Sequence, residues 1–317
     1  MKEWYQPDDR WPTLSIGSRE EYVHAYVFEG RFHSGVPADV VQSYETVSHL
    51  MAQAWYHYPL YDEALAKLLF IQEMAIKLRC KQLGITATFF NNGKKRKHTL
   101  QTFIDALDII EPAKGIAALL HRARNLRNRF AHPECHGYAG GIFRPHMLPL
   151  LNLLNDLFLQ DALVEQAAAY VEELRQQRSK LGKGLLVLEW EGGNALLTDA
   201  QPLTAQRVHG DLRVIWHFSP MIPHILEVIT THQLCRPILL VLTETGVGKD
   251  GILGKDFRTG KTVQVKPIPA AHSEALREPY EAEIQQASAA DYQIFEMLQT
   301  VEVAETLQEL RFACFWN

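Results

Sequence analysis

The sequence predicts a multidomain chain. An all-α helical bundle spans residues 37–181, after a partly extended segment over 1–36, and a smaller α+β domain follows over 185–317. Three observations carry this expectation. The chain has 317 residues, roughly twice a common domain. Apolar residues recur at three- and four-residue spacing through most of the first half. Past Leu181-Gly182-Lys183-Gly184, short β-type runs divided by Pro and Gly take over.

Taken in order, residues 22–28 (Tyr22-Val23-His24-Ala25-Tyr26-Val27-Phe28) are the best strand candidate of the N-terminal segment. Residues 37–56 suit a helix begun at Pro37. In residues 58–83, Leu60, Ala64, Leu68, Ile71, Ala75 and Leu78 repeat at helical spacing, and Leu65, Leu69 and Ile76 widen the apolar surface. This helix is expected to be central and covered on more than one side. Residues 91–98 read as a loop by the Asn92-Gly93 dipeptide and the Lys94–Lys97 charge run. Helices are expected over 99–110, 113–131, 147–160 and 161–180. In the second half, strands are expected over 185–190, 195–198, 212–218, 238–243 and 262–268. A helix is expected around 280–310, with a last strand over 312–316.

Composition narrows the class. Hydrophobic residues make up 47% and charged residues 22% of the chain, an ordinary globular balance. No apolar run has the length to cross a bilayer, and residues 1–18 lack the apolar core of a signal peptide. A cytoplasmic protein is therefore expected. Cys80, Cys135, Cys235 and Cys314 form no C-x-x-C pair, which argues against a disulfide framework. The net charge of −5 disguises an uneven distribution. Up to Gly182 there are 21 Lys and Arg against 20 Asp and Glu, whereas the remainder has 11 against 17. Between Lys94 and Arg129 nine basic residues face three acids, and such a local field can hold phosphates.

The helix over 113–131 carries the candidate site. At about 100° per residue, Ile116, Leu119, Leu120, Ala123, Leu126 and Phe130 fall on a core arc, while His121, Asn125, Asn128 and His132 share the opposite side. Lys and Glu are the usual residues on a merely solvated face, so two Asn and two His point to a partner surface. Arg127 falls within the core arc. A buried guanidinium needs a carboxylate, an interface or a phosphate, and Glu73 on the central helix is the candidate partner, in a structural or a catalytic role. Pro133 disfavours helix at His132 and is expected to end the helix there. A histidine in that place also interacts favourably with the helix C-terminal dipole.

Arg127-Asn128-x-x-x-His132, late in a helix of a helical domain, resembles the catalytic motif of the HEPN superfamily. The upstream runs Val36-Pro37, Tyr56-His57-Tyr58-Pro59-Leu60-Tyr61-Asp62 and Phe70-Ile71-Gln72-Glu73-Met74-Ala75-Ile76-Lys77-Leu78-Arg79 look like the paired first helices of its prokaryotic members. The resemblance covers residues 37–180. It implies a metal-independent endoribonuclease of the toxin or antiviral-defence kind, needing no cofactor and working as a homodimer or pseudodimer with two motifs facing across the interface. RNA cleavage by the 2′-hydroxyl needs a base, an acid and positive charge on the phosphorane. A histidine titrates near neutrality, so His132 can serve as acid or base. Arg127 matches two phosphate oxygens, and Asn128 orients the phosphate or His132. Glu73, Arg124, Asn125 and His121 are supporting residues, and Lys94, Lys95, Arg96 and Lys97 are expected to contact RNA. The C-terminal domain is expected to receive a regulatory protein or activator.

Other signals are weaker. His132-Pro133-Glu134-Cys135-His136 has metal-site composition, but Pro133 removes the helical spacing and no second ligand pair exists, so no metal is expected. Thr245-Gly246-Val247-Gly248-Lys249-Asp250 lacks the first glycine and the Ser or Thr of a phosphate-binding P-loop and reads as a Gly-rich hairpin turn. Residues 254–261 read as a basic loop. The competing reading of the whole chain is a non-catalytic module that binds RNA, nucleotides or a partner protein, or a subunit of a larger defence complex.

Overall fold

The computed structural model describes residues 5–91, 94–131, 139–182 and 184–316. The chain forms two compact units, residues 1–161 with 316–317, and residues 162–315.

The first unit is built on helices α1 (Arg19–Tyr26), α2 (Ala38–Gln53), α3 (Leu60–Gln82), α4 (Leu100–Ile110), α5 (Ala117–Ala131) and α6 (Arg144–Phe158). As expected, α3 is central. It buries Tyr61, Leu65, Leu68, Leu69 and Ile76 and packs against α2, α4, α5 and α6. Two expectations fail here. Residues 22–28 are not a strand: Ser18 Oγ accepts from Glu21 N at 3.1 Å while Glu21 Oε2 accepts from Ser18 N at 3.1 Å, and this reciprocal cap starts α1. Tyr22 and Tyr26, four apart, then fall on one side against Trp11, with ring centroids 4.5 and 5.1 Å away. The alternation that imitates a strand is a helix burying every fourth residue. The same aromatic cluster draws the N-terminal segment into the core, with Trp11 and Tyr22 fully buried.

The Lys94–Lys97 run is likewise not a loop. It forms strand β2, which pairs antiparallel with β1 (Thr88–Asn91) from Thr88↔Lys97 to Asn91↔Lys94. The rings of Phe89, His98 and Phe103 follow one another with centroids 4.5 and 4.7 Å apart, the first pair tilted and the second stacked, and fasten this ribbon to α4. The first unit is therefore helical with a β-ribbon rather than all-α. Trp316, at the far end of the chain, belongs to it, and its Nε1 donates to the buried Asn152 Oδ1 at 2.6 Å.

The second unit corrects the expected fold class. The C-terminal part is a closed six-stranded antiparallel barrel, not a smaller α+β domain. Its strands are β3 (Leu186–Trp190), β4 (Gly193–Val208), β5 (Asp211–Pro220), β6 (Ile238–Gly248), β7 (Gly251–Asp256) and β8 (Thr262–Pro267). Each pairs with the next, and β8 returns to β3 from Leu186↔Pro267 to Glu189↔Gln264. Closure leaves no strand edge unpaired. The 16-residue β4 breaks register between Leu197 and Asp199 and between Pro202 and Thr204, and such bulges bend a strand around a barrel. Leu188, Leu197, Ala200, Val214, Trp216, Phe218, Leu242 and Val265 form its buried core.

Helix α7 (Asp161–Ser179) contributes Ala167, Val171 and Leu174 to that same core. The division between units therefore falls at the first residue of α7, between residues 161 and 162, rather than at 181–185. Helices α8 (Ile225–Thr230), α9 (Ala270–Gln286) and α10 (Ala289–Cys314) complete the unit. The run 312–316 is not a strand. Leu310 and Cys314, four apart, are buried at the end of α10, and the Arg213 guanidinium donates to the Cys314 carbonyl. The P-loop-like segment lies in the β6–β7 hairpin, where Gly248 pairs with Gly251. Part of the expected basic loop 254–261 is β7 itself. Among the described residues, no single helix is long and apolar enough to cross a membrane.

Candidate active site

Helix α5 presents the predicted residues in two groups and shares a third, unpredicted one with α6. The first surrounds Arg127. Its Nη2 lies 2.9 Å from Glu73 Oε2 on α3, so the carboxylate that burial demands is present. The Arg127 side chain keeps 30% exposure, its guanidinium carbon stands 5.4 Å from the exposed Phe70 ring, and its Nη1 donates to Asn128 Oδ1 at 3.3 Å. Its Nε is buried with no hydrogen-bond partner among the described residues. Glu73 also accepts from Lys77 Nζ at 2.6 Å. Burial opposes ionisation of Glu73, but the Lys77 ammonium and the Arg127 guanidinium outweigh it and hold the carboxyl below its ordinary value. Arg127 is thus a fixed, partly accessible cation.

The second group is the polar side of α5. Asn125 and Asn128 are exposed. Asn125 Oδ1 accepts from Arg124 Nη2 at 3.0 Å, and His121 Nε2 stands 3.2 Å from Asp105 Oδ1 of α4. The core side is narrower than the periodicity predicts. Leu120 and Ala123 are buried, but Leu119 is 42% exposed.

The third group was not legible in the sequence. Between α5 and α6 lies a cleft of about 460 Å³, whose lining includes Arg122, Asn125, Leu126, Arg129, His146 and Leu150. Among the described residues, Asn125 is the one predicted residue that reaches it. Arg122 and Arg129 are seven apart, two turns on one face, a spacing that could have signalled them. His146 comes from α6, and nothing local announces it. The cleft joins two guanidiniums, an imidazole and apolar walls, a set suited to an anionic chain bearing flat rings.

His132 lies outside the described residues, as do Pro133, Glu134, Cys135 and His136 of the metal-like run. The basic residues Lys94, Lys95, Arg96 and Lys97 are all exposed on β2. Among the described residues, no group of three or more His, Cys, Asp or Glu is placed to hold a metal ion. Burial pushes the Cys80 thiol up to about 11, which removes it as a nucleophile near neutral pH. No protein-family model, curated protein or solved structure matches the chain.

Proposed function

We propose that the helical unit is an endoribonuclease that cleaves RNA by attack of the 2′-hydroxyl on the adjacent phosphate, without a metal. The observation that carries this reading is Arg127. It is held against Glu73, stays partly accessible beside the exposed Asn128, and lies five residues before His132. A guanidinium fixed before substrate arrives stabilises charge that develops on the phosphorane with little reorganisation. His132 serves as the general acid or base, and Asn128 orients the phosphate. The exposed β2 cations and the Arg122–Arg129 face supply sequence-independent hold on the backbone. Arg-Asn-x-x-x-His proteins of the HEPN kind, which this motif resembles, act as homodimers in toxin or antiviral systems. We read the present chain in the same way, with its barrel unit receiving a regulator.

One observation favours a second reading, a non-catalytic RNA-binding module: Nη1 and Nη2 of Arg127 already have partners in Asn128 and Glu73. Cleavage of labelled RNA in excess chelator separates the two. The wild type is expected to cut and to leave a 2′,3′-cyclic phosphate. His132→Ala and Arg127→Ala are expected to fold normally and to lose roughly 100-fold or more of the rate. Undiminished cutting by His132→Ala sinks the catalytic assignment. A requirement for added metal sinks the mechanism. RNA binding without cutting establishes the second reading.

A further inference from the structure

The barrel unit holds a concave site of its own. A cleft of about 710 Å³ lies among the last turns of α7, strand β4 and helix α9, lined in part by Arg175, Arg178, Asp199, Pro202, Arg277 and Tyr280. That volume is in the range of small-molecule sites. Arg175 and Arg178, three apart, are neighbours on the surface of α7, and α9 adds Arg277.

Arg178 is the built part of the wall. It is only 8% exposed. Its Nη1 donates to the Gly182 carbonyl at 3.0 Å and its Nη2 to Asp199 Oδ1 at 3.1 Å. Its buried Nε has no hydrogen-bond partner among the described residues. Asp199 is satisfied within the wall, since it also accepts from Ala200 N at 2.8 Å and Gln201 Nε2 at 2.7 Å. The other two arginines are more exposed. Arg175 Nη2 donates to the Leu203 carbonyl at 3.3 Å and its Nη1 lies 3.7 Å from Glu172 Oε2, while Arg277 Nε and Nη2 donate to Glu281 Oε1, one turn along its own helix, at 3.1 and 2.5 Å. Surface pairs of this kind hold their partners weakly, so both guanidiniums can turn to a bound anion. Three guanidiniums against the carboxylates of Asp199 and Glu281 leave one net positive charge in the lining. Tyr280, Pro202 and Ile284 supply the apolar share of the wall.

We infer that this cleft binds a small phosphorylated ligand carrying a flat ring, of which a mononucleotide is the simplest form. Guanidinium forks match phosphate oxygens, exposed arginines from two separate helices line the same cleft, and the ring packs on the apolar wall. The inference concerns the barrel unit alone and does not depend on the ribonuclease reading.

The test is isothermal titration calorimetry on the full chain with AMP, adenosine, inorganic phosphate and a 2′-O-methyl RNA octamer with 5′-hydroxyl ends, which cannot be cut. AMP is expected to bind, with adenosine at least tenfold weaker and phosphate in competition. Arg175→Ala and Arg277→Ala each weaken AMP at least tenfold. Both side chains have substantial exposure, and circular dichroism checks that the variants fold; Arg178 is left intact because it braces the wall. The inference is overturned if neither AMP nor phosphate binds at millimolar concentration, if adenosine equals AMP, or if neither variant changes AMP affinity. It is also overturned if the octamer binds more tightly than AMP through the same arginines, which would identify an RNA surface.

Discussion

Arg127 shows how far a single residue can be read from its chain. Its place on the core arc of α5 calls for a carboxylate, an interface or a phosphate, and the Glu73 carboxylate stands 2.9 Å away. That demand is local physics, and helical periodicity is enough to reveal it. The Arg122, Arg129 and His146 cleft is not local, because His146 arrives from another helix. A second ion pair gives a test at this scale. The Arg10 guanidinium beside Asp8 holds the Asp8 carboxyl at about 2 against an ordinary 3.8, with burial opposing and the Tyr58 N–H assisting. The folded state therefore binds this proton more weakly than the unfolded chain. The resulting stability is complete above the unfolded value and is lost as pH falls from about 4 to about 2. Asp8→Asn is expected to cost roughly 1 kcal/mol at neutral pH, a figure discounted for the exposure of Arg10. In denaturant titrations at pH 7, 4 and 3, the gap between variant and wild type should narrow at the lowest pH; a constant gap would exclude the ion pair as its source.

Among the elements, sequence patterns succeed where one period dominates and fail where two periods coincide. The long apolar run of α3 can only be a buried helix. Residues 22–28 alternate like a strand and also repeat every four residues, and the Ser18–Glu21 cap decides for α1. The Lys94–Lys97 run looks solvated, and it is, but on a strand fastened by the Phe89–His98–Phe103 stack rather than in a loop. Strand β7 hides behind its glycines. Gly251 has φ +129°, and a Cβ there would lie 1.8 Å from the Val265 carbonyl oxygen of β8. Gly251→Ala is expected to destabilise the barrel by about 3 kcal/mol or more. Gly210→Ala, at φ +95° with nothing within 4 Å, should cost only about 1 kcal/mol of backbone strain. Thermal melts of the two variants compare them directly, and equal losses would show that the Gly251 approach is not tight.

For the molecule as a whole, the decisive feature is which helix belongs to which core. Helix α7 continues the helical half in sequence but buries Ala167, Val171 and Leu174 with the barrel. A fragment covering 162–315 is therefore expected to unfold cooperatively, whereas one beginning at residue 185 should melt lower or bind hydrophobic dyes. Equal melting temperatures would mean that α7 is dispensable to the barrel. The sequence by itself determined the helical first half, the polar side of α5, the need of Arg127 for a compensating group and most of the strands beyond residue 185. These follow from period, capping and the cost of a buried charge, all properties of neighbouring residues. Only the tertiary structure decided that Glu73 is the partner of Arg127, that the strands close into a barrel, that α7 joins them, and that arginines of α7 and α9 line one cleft. Pairing β8 with β3 joins residues about eighty apart along the chain, and no local period records that meeting.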